Sequence, residues 1–209
     1  IPRQGVVRSM IYGRGKSSLL KKLSRVYHIA MERYGVQILV NGTPLAPWRL
    51  CIWGDSRSVP SQAWMRVPAQ FPVDIALQPL PYCTSCWEWG ADGQTECLLC
   101  GATMTSRERR IRGTLGIQRS FSVAWGEGQL GHFGIDLIRN GRVIEEFDKD
   151  LFDWIDPSDP NHREIDYPVD STYLGGRIIG ELELDFVPLR SYHKDSFEKS
   201  DPTWGDVRE

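Results

Sequence analysis

The sequence predicts an α+β fold carrying a small metal-ribbon lobe. Three observations lead there: a helical apolar pattern near the N-terminus, two Asn-Gly turns set between β-formers, and two Cys-x-x-Cys pairs separated by a short linker. Each implies a different local geometry, and together they order the chain.

Leu19, Leu20, Leu23, Val26, Tyr27, Ala30, Met31 and Tyr34 recur three and four residues apart, the spacing of one helix face. Ser17 and Ser18 suit an N-cap, and Gly35 suits a left-handed C-terminal residue. One helix is therefore expected over about residues 18–34. Residues 36–40 and 43–45 flank Asn41-Gly42, and residues 133–139 and 142–147 flank Asn140-Gly141. Both central positions of a tight hairpin turn need positive φ, which Asn-Gly tolerates, so each segment is expected to be a hairpin. Residues 111–118 read as a strand. Residues 177–188 alternate Ile178, Leu182, Leu184 and Phe186 with Ile179, Glu181, Glu183 and Asp185, a strand with one polar face. Residues 52–82, rich in Pro and Trp, lack a period and read as an irregular arm. Residues 153–174, acidic and holding Pro157, Pro160 and Pro168, read as a loop. No repeat of solenoid length is present.

With 209 residues, 41% of them hydrophobic and 25% charged, the chain can bury a core and is not of disordered composition. No apolar run approaches the ~20 residues of a membrane span, and no signal-peptide pattern is seen, so a cytoplasmic protein is expected. The chain opens on Ile1 rather than Met, which reads as a fragment or processed product. The net charge of -2 argues against a generally basic nucleic-acid binder.

That total hides segregation. Arg3, Arg8, Arg14, Lys16, Lys21, Lys22, Arg25 and Arg33 stand against the single acid Glu32 in residues 1–40. Arg107, Arg109, Arg110, Arg112 and Arg119 follow later against Glu108. Residues 145–166 run the other way, with nine acids against Lys149 and Arg163. Such blocks either meet one another in the fold or present one sign to a partner.

Cys83-Thr84-Ser85-Cys86 and Cys97-Leu98-Leu99-Cys100 are two knuckles, each pointing two thiolates at one place. The linker, with Asp92-Gly93 at its tip, suits a hairpin. Four thiolates then close a tetrahedral zinc-ribbon site with no open position, a structural role. Two disulfides are the competing reading, without support from a secretion signal; an iron–sulfur cluster is the third. Cys51 stands apart and is expected to be a buried hydrophobe. Trp87 and Trp89 with Arg107, Arg109, Arg110 and Arg112 either stack bases and hold phosphates or pack on the ribbon's own small core.

Gly13-Arg14-Gly15-Lys16-Ser17 lacks the first glycine of a phosphate-binding loop and is expected to link a strand to the helix. His28, His132, His162 and His193 are scattered, and no complete catalytic constellation is visible.

Three segments resemble the second domain of the GHKL-type ATPases, the gyrase B, MutL and MORC group, with MORC-like members nearest. They are the helix and hairpin over residues 18–47, Gly134-Ile135-Asp136-Leu137-Ile138-Arg139-Asn140-Gly141-Arg142-Val143-Ile144, and Gly176-Arg177-Ile178-Ile179-Gly180 through His193-Lys194-Asp195-Ser196-Phe197. The last carries the family's Lys-x-x-Phe, with His193 directly before the lysine. The resemblance implies a ribosomal protein S5 domain 2-like transducer fold over residues 1–50 and 105–209. Residues 51–104 are then an insertion whose zinc ribbon spans about 80–104. It implies that Lys194 contacts the γ-phosphate of ATP held with Mg²⁺ in an upstream ATP-binding domain of the same or another chain. The family's nucleotide-binding motifs are absent here, so this chain alone is expected not to hydrolyse ATP. DNA and a second copy of the chain are the implied partners, with prokaryotic defence as the setting. The alternative is a non-enzymatic zinc-ribbon module binding nucleic acid or protein.

Overall fold

The computed structural model describes residues 16–54, 56–60, 65–119, 133–156, 158–165, 167, 169–171, 175–190 and 194–209. The expectations placed on Arg3, Arg8, Arg14, Gly13-Arg14-Gly15, His132 and His193 lie outside the described residues.

The expected single helix is two, α1 (Lys16–Val26) and α2 (His28–Tyr34), meeting at Tyr27 with φ -114° and ψ 15°. The reason is local. His28 Nδ1 lies 2.7 Å from the Arg25 carbonyl, which in an unbroken helix would accept from the amide of residue 29. Gly35 closes α2 at φ 66°, as expected. Asn41-Gly42 turns β1 (Leu39–Val40) into β2 (Thr43–Pro44) with both residues at positive φ.

Residues 52–82 are not an irregular arm. They hold the hairpin β3 (Ser58–Pro60) and β4 (Arg66–Pro68), and then β5 (Gln70–Tyr82), which pairs along its length with β6 (Thr105–Ile117). Proline obscured the strand. Pro72, Pro79 and Pro81 would break a central strand but are tolerated on an edge, and β5 is an edge of the five-stranded sheet. Pro79 sits where three residues, Leu77 to Leu80, advance against two on β6, Arg109 to Arg107, which is a β-bulge.

The second Asn-Gly hairpin is β7 (Gly134–Arg139) and β8 (Arg142–Asp148). The acidic stretch after it is more ordered than a loop. A 3₁₀ turn (Asp150–Phe152) leads into β9 (Asp153–Asp156) paired with β10 (Asp159–Ile165), and β11 (Val169–Ser171) pairs with β12 (Gly175–Gly176). β13 (Ile178–Glu183) enters the main sheet parallel to β7 and antiparallel to β6, giving the order β5-β6-β13-β7-β8. The chain leaves the sheet at Leu184, and α3 (Pro202–Arg208), N-capped by Asp201, ends it.

The two faces of this sheet are held differently. On one, Ile111, Ile135, Leu137 and Leu182 pack with Leu184, Phe186, Val187, Phe197 and Trp204 into the main apolar core. On the other, α1 and α2 dock largely through charge. Arg25 grips Asp136 at 2.7 Å, His28 Nε2 lies 2.7 Å from Glu181, and Arg33 reaches Glu183 at 2.5 Å. Among the described residues, buried Ile29, Ile138 and Val143 add a small apolar cluster there. Part of the basic block thus meets acids within the fold, since Lys22 also pairs with Glu146; outside that block, Lys199 pairs with Glu145, Asp148 and Asp150.

His28 makes this docking pH-sensitive. Burial pulls its pKa down, but the Glu181 carboxylate and the Arg25 carbonyl outweigh burial and the pKa is raised. A raised folded pKa stabilises fully below the unfolded value of ~6.5, and the contribution fades as pH rises through the folded pKa. Denaturant melts from pH 5 to 9 should therefore show an alkaline decline that His28→Gln removes. An identical decline in the variant would assign it to other groups.

Candidate metal centre

The β5–β6 hairpin carries the four cysteines beyond the sheet. Isolated bridges Tyr82 to Trp89 and Glu96 to Thr103 extend it into a ribbon. The knuckles are near-copies. The Trp87 amide donates to the Cys83 carbonyl and the Gly101 amide to the Cys97 carbonyl, each at 2.8 Å. The residue after each second cysteine is left-handed, Trp87 at φ 61° and Gly101 at φ 69°. Amides of Ser85 and Cys86 donate to the Cys83 sulfur, and those of Leu99 and Cys100 to Cys97.

The sulfurs converge. Cys83 to Cys100 is 3.5 Å, Cys86 to Cys97 3.3 Å and Cys86 to Cys100 3.7 Å, with all four within 4.8 Å of one another. A tetrahedron with metal–sulfur bonds of ~2.3 Å has edges of ~3.8 Å, so the group could hold a metal ion. None of the separations is the ~2.05 Å of a disulfide, and all four cysteines are free. The Cys86 amide draws the Cys83 thiol down to about 6, while sharing with Cys97 and Cys83 pushes Cys86 up to about 12. The Cys97 thiol is lowered, first by the Cys100 amide. Cys100 is raised: the Ala102 amide lowers it, but the contact with the Cys83 sulfur and burial outweigh that. Metal entry must therefore expel protons held at the second cysteine of each knuckle. Cys51 is a correction: it is exposed, on a segment whose backbone bonds to Arg119 and not in the core.

The arginines and tryptophans near the ribbon do not form one surface. Arg109, only 5% exposed, donates to the bulge carbonyl of Gln78 at 2.7 Å, pairs with Asp206 of α3 and lies over the Phe186 ring. Arg110 and Arg112, two residues apart on β6, share one side of the strand. There Arg110 binds Asp74 and Glu108, and Arg112 lies 4.0 Å from Asp74. Arg107 stacks on Tyr82 and Trp89, and Trp89 meets Phe186 edge-on. Of the two tryptophans, Trp87 stands out in solvent while Trp89 is half-buried. The partners of Arg109 escaped the sequence reading because a bulge and a C-terminal helix supply them.

Lys194 sits on the loop after β13. Leu189 bridges Phe197, whose buried ring anchors the loop, and the Phe197 amide donates to Glu145. The lysine backbone is fixed on both sides: its amide donates to Arg190 O at 3.2 Å, and its carbonyl accepts from Arg142 at 2.8 Å. It holds φ 53°, while its exposed ammonium makes no ion pair among the described residues. Arg142, the arginine of the strand-turn-strand quoted for the resemblance, positions the loop through this bond, a contact its place in the sequence does not reveal.

Among the described residues no helix is long and apolar enough to cross a membrane. Comparison with known proteins finds no family model, curated protein or solved structure that matches this chain.

Proposed function

We propose that this chain is the transducer part of a GHKL-type ATPase akin to the MORC-like members, with an S5 domain 2-like body and a structural zinc ribbon. The observation that carries the reading is the Lys194 loop. A non-glycine residue in left-handed conformation costs about 1–2 kcal/mol, and here two hydrogen bonds to its backbone and a buried Phe197 hold it while the ammonium makes no ion pair among the described residues. A compact cation on a long stem suits contact with a terminal phosphate that arrives only when an upstream ATP–Mg²⁺ domain closes on this one. Hydrolysis removes the phosphate and the contact, shifting the open/closed balance of a clamp, with DNA as the object. The motion would pass from the Lys194 loop through Arg142 and Glu145 into β8. Cys83, Cys86, Cys97 and Cys100 would hold the zinc, which supplies rigidity and no reaction step.

In the intact ATPase, Lys194→Ala should lower turnover by on the order of 10²–10³-fold, as loss of one charge-stabilising donor does. Metal content and melting temperature should stay unchanged, and Lys194→Arg should recover part of the rate. Turnover within twofold of the parent protein would overturn the assignment.

A further inference from the structure

Trp87 occupies a position its twin gives to glycine. Gly101, at the same turn of the other knuckle, takes φ 69° without penalty, whereas a bulky aromatic at φ 61° is strained. The fold gains nothing visible in return. The indole is 73% exposed and makes no ring contact among the described residues. On the facing knuckle Leu98 and Leu99 are 90% and 73% exposed. The lobe beneath them, residues 83–104, holds Glu88, Asp92 and Glu96 and no lysine or arginine. None of these three acids makes an ion pair among the described residues. Thiolates around a divalent ion would add further negative charge. Such a tip repels a phosphate backbone and suits a basic protein surface with apolar side chains.

The chain itself supplies that surface. α1 holds no acid and buries none of its residues fully; Arg25 and Lys22 are engaged by Asp136 and Glu146 within the fold, which leaves Lys16 and Lys21 for a partner. Leu19, Leu20 and Leu23 are half-exposed beside the lysines, and Lys16 and Lys21 make no ion pair among the described residues. From this complementarity we infer that the ribbon tip docks on α1 of a second copy of this chain, with Trp87 as the anchor. Two-fold symmetry makes the contact twice, so each copy gives one tip and one helix. Tip against tip is disfavoured because both are acidic. This contact is independent of the Lys194 reading.

Sedimentation of the metal-loaded chain over a concentration series tests it. A salt-weakened dimer is expected. Trp87→Gly should weaken it by on the order of 30-fold, the cost of removing an aromatic anchor, and should keep its metal, since Gly101 serves at the twin position. Leu98→Ser with Leu99→Ser gives the same loss by a route that does not touch the strained turn. Lys21→Glu and the pair Glu88→Lys with Glu96→Lys should each weaken self-association. Mixed together, these two charge variants should associate with each other more tightly than either does with itself. A chain monomeric at every concentration, a Trp87 variant with an unchanged dimer, or charge variants that fail to recover on mixing would each overturn the inference. So would Trp87-dependent binding of a duplex DNA probe in place of self-association.

Discussion

Stripping the metal from the four-cysteine site is expected to unfold residues 83–104 and leave the five-stranded sheet standing. Within that lobe only Cys83 and Cys97 are buried, so a metal would take the place of an apolar core. Structural zinc contributes roughly 10–16 kcal/mol to small lobes of this kind, far more than so short a segment could gain from burial. The sheet has its own core in Ile135, Leu137, Leu184, Phe186 and Phe197 and does not need the ion. On chelation at neutral pH the amides of Trp87 and Gly101 should lose protection from hydrogen exchange, while those of β7 and β13 keep it. Cys97→Ser should do the same without chelator, because three thiolates hold the ion far more weakly. Acid should act like a chelator. Cysteine binds a metal as thiolate, so falling pH should return protons to the four sulfurs and expel the metal. Protected Trp87 and Gly101 amides in metal-free protein with four free thiols would defeat the claim.

The ribbon was legible because its determinants are local. Two Cys-x-x-Cys spacings and a linker with Asp92-Gly93 at its tip fix which atoms meet, whatever the rest of the chain does. The Asn-Gly turns were legible for the same reason: positive φ at Asn41, Gly42, Asn140 and Gly141 is a property of those residues. β5 was hidden because its prolines are acceptable only on an edge, and edge position is decided by which strands join the sheet. The break at Tyr27 needed the reach of the His28 side chain back to the Arg25 carbonyl, which a period of apolar residues does not encode. The arginine run on β6 reads in sequence as one basic patch. In space the strand divides it between two faces, and Glu108 within the run together with Asp74 and Asp206 from two other places neutralises part of it. Cys51 was misjudged because burial of a lone cysteine depends on whether its segment reaches the core. Assigning α1 to a charged interface was equally out of reach, since its leucines suggest an apolar one.

That charged interface gives the second large effect. Asp136→Ala should cost about 3–5 kcal/mol, the penalty for breaking a buried ion pair from one side. For a chain of this length that lowers the melting temperature by roughly 6–20 °C. Asp136 is 1% exposed, and both its oxygens serve Arg25 while one also accepts from the Phe147 amide. Its removal orphans a guanidinium that lies over Phe147 at 3.8 Å and over Trp48 at 4.6 Å and keeps only Glu146, 3.8 Å away. Burial, with Glu146 nearby, leaves the Asp136 pKa raised despite Arg25 and the Phe147 amide, so the carboxylate sits there at a net cost in its charged form. The pair therefore specifies how α1 meets β7 more than it stabilises the contact. It follows that Arg25→Met with Asp136→Leu should recover most of what Asp136→Ala loses, because the desolvation of both ions disappears together. Arg25→Met alone should be nearly as harmful as Asp136→Ala. Strictly additive losses across the three variants would instead mean that α1 is held by its half-covered leucines, and that the ion pair is incidental to its docking.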